Sequence, residues 1–241
     1  MRRGFNGNYL MIFFLIIMVV NSIRSGRYDS PGQWLFFTLI SLPGIVIGIT
    51  FHEFAHAYSA WKLGDQTPMA QKRVTLNPLA HIDPIGIIAL VFVGFGWGRP
   101  VQVNPYVFKK NRRLANLIID VAGVVTNLII AFICTALLVY IQNSATGGGI
   151  GVFVLYNIVY FIVYFNIVLM LFNLIPIPPL DGFGIITEIF DLRRQPWYRT
   201  FYNYGSIILL FLIMMRFIAL ILVPAVNKIM IAFETVWSII I

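Results

Sequence analysis

The sequence predicts an all-α polytopic membrane protein of about six transmembrane helices, with a short re-entrant strand and loop region after the second of them. Three observations carry that expectation. Of the 241 residues, 59% are hydrophobic and 11% are charged, whereas soluble chains hold about 25% charged residues. The mean hydropathy is +0.86, which makes lipid the solvent along most of the length. Apolar runs of about 20 residues, enough to cross a bilayer, recur from end to end, with no internal repeat and no polar stretch large enough for a soluble domain. The chain reads as one transmembrane domain over 1–241, with its polar motifs in a core at 33–190, an N-terminal helix at 9–23 and C-terminal helices within 205–241.

In chain order, spans are expected at 9–23, 33–61, 114–142, 150–175 and 205–225. Arg2 and Arg3 precede the first run as they would in a signal peptide, but Asn21-Ser22-Ile23-Arg24 is a poor cleavage site, so the helix is expected to be retained. Ile82–Gly98 is broken by Asp83-Pro84 and by Gly94, Gly96 and Gly98, which suits a short or re-entrant segment. Ile229–Ile241 is too short to span untilted. Gln71–Asn77 reads as a short strand followed by the turn residues Asn77-Pro78. Non-helical backbone at membrane depth must line a cavity or pack against protein.

The net charge is +8, but the basic residues fall in short clusters between apolar runs. They read as topology determinants, and a nucleic-acid surface is excluded. Cytoplasmic loops concentrate Lys and Arg, so the N-terminus, Lys109, Lys110, Arg112 and Arg113, and Arg193, Arg194 and Arg199 fall inside. The uncharged 142–150 connection, with its Gly147-Gly148-Gly149 turn, falls outside; Arg24 and Arg27, offset by Asp29, are left there with it. A multi-pass protein of the cell membrane is expected. The stretch 62–113 must then begin and end on the cytoplasmic side, so 82–98 cannot cross once. The single cysteine, Cys134, excludes an intrachain disulfide framework and a cysteine metal cluster.

Within the second long apolar run stands His52-Glu53-Phe54-Ala55-His56, the pattern H-E-x-x-H. Positions i and i+4 share a helix face, so His52 and His56 can aim two imidazole nitrogens at one point. Glu53 lies about 100° round from His52, near enough to reach a water at that point without being a ligand itself. This is the arrangement of a zinc hydrolase, in which the carboxylate takes a proton from water and later returns it to the leaving amine. Two imidazoles and a carboxylate in a lipid-embedded helix are costly unless paired or metal-bound, which argues against an accident of spacing among only three histidines. A third protein ligand is needed. The best candidate is Asp181 in Asn173-Leu174-Ile175-Pro176-Ile177-Pro178-Pro179-Leu180-Asp181-Gly182, where three prolines within four positions end a helix. A helix-capping aspartate at the membrane surface is the other reading of that segment.

At these residues the chain resembles the site-2 protease family of intramembrane zinc metalloproteases. The family's H-E-x-x-H matches His52–His56, and its N-x-x-P-x-x-P-L-D-G-type element matches Asn173–Gly182, with Pro178 as an extra proline. Leu76-Asn77-Pro78-Leu79-Ala80-His81-Ile82-Asp83-Pro84-Ile85-Gly86 and Gly96-Trp97-Gly98-Arg99-Pro100-Val101-Gln102-Val103-Asn104-Pro105 resemble the short prokaryotic branch without PDZ or CBS domains, so the similarity covers roughly 45–190. Ala122-Gly123-Val124-Val125-Thr126-Asn127 departs from the branch's A-G-P-x-x-N in having Val124 for proline. The resemblance implies peptide-bond hydrolysis within or beside the membrane, with His52, His56 and Asp181 as Zn2+ ligands and Glu53 as the catalytic carboxylate. The implied partners are a transmembrane protein or peptide substrate and the lipid bilayer.

The charge-derived topology runs 33–61 inward and 150–175 inward, so both motifs fall in the cytoplasmic half, His52 about 15 Å from its helix end. Asn127 and Asn173 are candidates for bonding a neighbouring helix or, alternatively, substrate backbone or the developing oxyanion. His81 and Asp83 flank a turn and are expected to bond structurally, with substrate positioning or gating as the alternative. A proteolytically inactive, membrane-protein-binding relative is the competing function, against which the intact Glu53 argues. A metal-ion transporter would need a path of ionisable residues, and Asp120 and Glu188 near helix ends do not make one.

Overall fold

The computed structural model describes residues 30–93, 96–108, 111–144 and 149–241, and its regular elements there are all helices. The expected N-terminal helix at 9–23 lies outside them, as do Lys109, Lys110 and most of the glycine turn. Four described helices are long and apolar enough to cross a membrane: α1 (Pro31–Lys62), α5 (Arg112–Ser144), α6 (Ile150–Asn173) and α9 (Phe217–Ile240). Between them run the short α2 (Thr67–Ala70), α3 (Pro78–His81), α4 (Pro84–Val93) and α7 (Asp181–Phe190), then α8 (Tyr198–Met214).

α1 begins where Ser30 Oγ accepts the Gln33 N–H at 3.1 Å and Pro31 occupies the first helical position. It ends in a Schellman motif: Asp65 N–H donates to the Ala60 carbonyl and Gly64 N–H to that of Trp61, each at 3.0 Å. Gly64 takes the left-handed φ of 106° this requires. α1, α5 and α6 pack against one another. At Gly44 the backbones of α1 and α6 come so close that a Cβ would sit 2.4 Å from the Phe161 carbonyl oxygen. Small residues at such crossings are how membrane helices gain packing where lipid supplies no hydrophobic drive. α9 closes the bundle, its Val226 and Met230 joining Val124, Ala131, Val163, Ile167 and Met170 in one buried cluster. Leu39, Ile133, Leu137, Phe211 and Ile231 stay exposed on the outer faces, as lipid contact requires.

Three expectations are corrected. Gln71–Asn77 is turns and bends, and no strand occurs among the described residues; only an isolated antiparallel bridge joins Ile82 to Gly98. Local bonds consume its backbone groups: Arg73 N–H donates to the Pro68 carbonyl at 2.8 Å and Thr75 N–H to that of Arg73 at 2.9 Å. Lys72 meanwhile takes a left-handed φ of 56°. The apolar run 205–225 is not one span, because the chain breaks at Met215-Arg216, with Arg216 left-handed at φ 57°. Ile229–Ile241, expected to be too short, instead continues the 24-residue α9. In the stretch 82–98, α4, at ten residues, is about 15 Å long, and the Ile82–Gly98 bridge pairs residues at the two ends of the stretch.

Candidate metal centre

His52 and His56 lie one turn apart on the buried side of α1, only 6% and 8% exposed. Asp181 arrives from the first turn of α7 after a non-helical connection. α6 stops at Asn173, tight turns at Ile175, Ile177 and Leu180 carry the chain past a cis Pro178-Pro179 bond, and α7 begins at Asp181. Gly182 makes this return possible, since a Cβ there would lie 2.3 Å from the Leu174 carbonyl oxygen.

Three donor atoms meet as a triangle. His52 Nε2 and His56 Nε2 are 3.0 Å apart, and Asp181 Oδ2 stands 3.2 Å from the first and 3.3 Å from the second. His56 Nδ1 donates to the Ile119 carbonyl at 2.7 Å, and His52 Nδ1 faces Asn127 Oδ1 at 3.3 Å. These outer partners put the ring protons on Nδ1 and leave both Nε2 lone pairs pointing inward. Asp181 Oδ2 is accordingly buried with no aligned donor. Three lone pairs facing one another repel unless a cation lies among them. A tetrahedral ion with ligand atoms at about 2.0–2.1 Å sets them about 3.3 Å apart, so the donor set fits zinc. Gly123 keeps α5 out of the way: a Cβ there would lie 2.5 Å from His56 Nε2 and 2.6 Å from His52 Cε1.

Glu53 faces the loop that follows α4. Its Oε2 accepts the Val101 N–H at 3.0 Å, and the bare Cα of Gly98 lies alongside Oε1. A cleft of about 340 Å3 opens next to Asp181, lined by Asp120, Asn116, Val103, Pro105, Phe183 and Tyr198 among others. Its Val103 and Pro105 belong to the polar stretch that precedes α5.

The remaining candidates fall elsewhere. Asn127 is fully buried and close to His52, with its Nδ2 unpartnered, whereas Asn173 Nδ2 donates to the Leu169 carbonyl of its own helix at 3.0 Å. His81 Nε2 donates to the Thr75 carbonyl at 2.7 Å, and burial pushes its imidazole below the usual pKa. Asp83 Oδ1 caps α4 through the Ile85 N–H at 2.9 Å. Glu188 is bonded to Asn116 Nδ2 at 2.8 Å and Arg193 Nη2 at 2.5 Å, away from the triangle. Asp120 lies against Gly184, on the cleft wall. Val124, in place of the branch's proline, is an ordinary buried position in a continuous α5. Sequence reasoning missed Asp65, only 1% exposed, which receives the Thr67 and Asn104 N–H groups at 2.9 and 2.7 Å and so ties the two loops over the site together. Its only sequence signal is a carboxylate directly after a helix-ending glycine.

A bundle of membrane-length helices that holds a buried His-His-Asp triangle, with the glutamate of an H-E-x-x-H next to it, has the make-up of a membrane-embedded metallopeptidase. The chain belongs to peptidase family M50, the site-2 protease family, whose profile matches residues 40–216. It is 39% identical over 203 residues to "Putative zinc metalloprotease YwhC" of Bacillus subtilis (strain 168), covering 81% of this chain and 91% of that protein. It is 25% identical to "Putative zinc metalloprotease Rip2" of Mycolicibacterium smegmatis, over 82% of this chain and 72% of that one. The Mycobacterium tuberculosis (strain ATCC 25618 / H37Rv) protein of the same name is 26% identical over 67% of this chain and 61% of its own length. No solved structure matches the chain.

Proposed function

We propose that this protein is an intramembrane zinc endopeptidase that hydrolyses peptide bonds of transmembrane substrates, with His52, His56 and Asp181 holding the zinc and Glu53 as the catalytic carboxylate. The observation that carries the reading is the triangle of inward lone pairs at 3.0–3.3 Å. Zinc in such a site supplies Lewis acidity, lowering the pKa of water and polarising a carbonyl. Glu53, held through Oε2, keeps Oε1 for the attacking water, takes its proton and passes it to the leaving amine. The ring protons on Nδ1 stay committed to Ile119 and Asn127, so His52 and His56 do not compete as acids. Asn173, at the end of α6 where the Asp181 loop begins, is the proposed contact for unwound substrate backbone, and Asn127 orients His52. A substrate helix must open locally to expose its carbonyl, and helix-breaking residues lower that cost by about 1–3 kcal/mol each. The protein sits in the cell membrane with its site in the cytoplasmic half, as the loop charges favour.

The test is incubation of purified protein in detergent with a panel of fluorogenic single-span membrane peptides. Wild type is expected to cleave at least one of them, and chelator to stop it. Glu53→Gln should keep its zinc and lose at least about 10²–10⁴-fold in rate. If Glu53→Gln instead restores the cellular phenotype of a deletion as well as wild type does, the protein works by binding and not by hydrolysis.

A further inference from the structure

We propose that Arg73 is a positioning residue for the Glu53 carboxylate, acting through the Pro100–Val101 peptide group; the inference deepens the proposed protease reading and rests on it. One peptide group is gripped from both sides. Its carbonyl, that of Pro100, accepts from Arg73 Nη2 at 2.8 Å, and its N–H, that of Val101, donates to Glu53 Oε2 at 3.0 Å. The same Nη2 also donates to the Arg99 carbonyl, so a single guanidinium nitrogen fixes two successive peptide units. Hydrogen bonds in such a chain polarise one another: a cation on the carbonyl side strengthens the N–H as a donor to the carboxylate on the other.

Arg73 is placed for this and for little else. It is only 6% exposed, and neither of its Nη atoms forms an ion pair among the described residues. A buried guanidinium without a carboxylate against it is costly, and burial lowers its pKa while the field of Glu53 opposes that shift. Its backbone is pinned on both sides, its N–H by the Pro68 carbonyl and its own carbonyl by the Thr75 N–H. The loop it grips is anchored further by the Ile82–Gly98 bridge and by the Arg99 N–H on the His81 carbonyl at 2.7 Å. Held by Oε2, the carboxylate cannot rotate freely, and Oε1 keeps one direction toward the reacting water. None of the hydrogen bonds that form the clamp is made to His52, His56 or Asp181.

The experiment compares zinc-loaded full-length Arg73→Met and Arg73→Lys with wild type, using the panel peptide that wild type cleaves fastest. Arg73→Met is expected to lower kcat about 10- to 100-fold, the scale of a misplaced catalytic group, with KM and zinc content within about twofold of wild type. Arg73→Lys, which retains the charge and one donor to the Pro100 carbonyl, is expected to recover part of the loss. Hydrogen exchange of the 98–104 segment supplies a readout without catalysis. The Val101 amide is expected to exchange about tenfold or more faster in both Arg73→Met and Glu53→Ala, while α5 and α6 stay protected. Wild-type kcat or wild-type Val101 exchange in Arg73→Met overturns the inference, as does a joint loss of zinc and KM that marks a general folding role. If no panel peptide is cleaved even by wild type, the protease reading fails and the exchange data still decide the clamp; if Glu53→Gln is dead but Arg73→Met is not slowed, the clamp alone fails.

Discussion

His52 and His56 each depend on a neighbour outside the His-His-Asp triangle. His56 is oriented by a backbone carbonyl and His52 by the Asn127 side chain, and outer partners of this kind are worth about 10–100-fold in metal affinity. Asn127→Leu should therefore weaken zinc binding by about that factor, measured by competition with a chelator of known affinity. Unchanged zinc affinity with a fall in kcat at saturating metal would assign Asn127 to substrate or oxyanion instead. Asp181→Ala should lose most of the bound zinc, because a site with three protein ligands that loses one keeps too little binding energy. Metal analysis of the purified variant is the check, and a full complement of about one zinc per chain would remove Asp181 from the ligand set. Glu188, the next candidate by composition, is already engaged by Asn116 and Arg193.

At the scale of elements, the centre is a junction of three. α1 supplies the two histidines, α5 the outer partners, and the first turn of α7 the aspartate. Where α7 meets the end of α6, its first turn rests on the Leu174 and Ile175 carbonyls at Gly182. Gly182→Ala puts a Cβ into that backbone contact, which has no flexible side chain to yield. The expected outcome is displacement of Asp181, with zinc content falling as in Asp181→Ala while helical content, read by circular dichroism, is unchanged. Full zinc in Gly182→Ala would show that the loop relaxes independently of the site. Arg113 strengthens the same region from the other end of α7: its Nε donates to the Glu188 carbonyl at 2.9 Å, fastening the start of α5 to the end of α7.

On the scale of the whole molecule, the motifs can share a site only if the ends of α1 and α6 that carry them lie on the same side of the bundle, and they do. In the proposed topology that side is the cytoplasmic one, because loop charge favours it. In a Cys134→Ala background, a cysteine at Ser144, after α5, should react with an impermeant thiol reagent added to intact cells, and one at Asn111, before it, should not. The reverse labelling would place the metal centre in the outer half. The break at Arg216 also matters at this scale. It frees Phe217–Ile240 to run as one helix against α5 and α6, where Trp237 Nε1 donates to the Phe132 carbonyl at 2.8 Å.

The sequence by itself determined the solvent, three of the four membrane-length helices described and the candidate chemistry. Composition and run length set the first two, because a lipid-facing backbone must satisfy itself within each helix, and the i, i+4 spacing of His52 and His56 sets the third. Hydropathy could not find the break at Arg216, because apolar residues flank it on both sides, and pattern alone mistook Gln71–Asn77 for a strand whose hydrogen bonds are in fact spent on its own turns. Only the tertiary structure decided that Asp181, 125 residues beyond His56 in the chain, completes the triangle, that Gly123 clears space for it, and that Arg73 reaches Glu53 through one peptide group. Those are contacts between segments distant in sequence, and what fixes them is the close approach of backbones at glycines and the need of buried polar groups for partners, neither of which leaves a periodic trace in the chain.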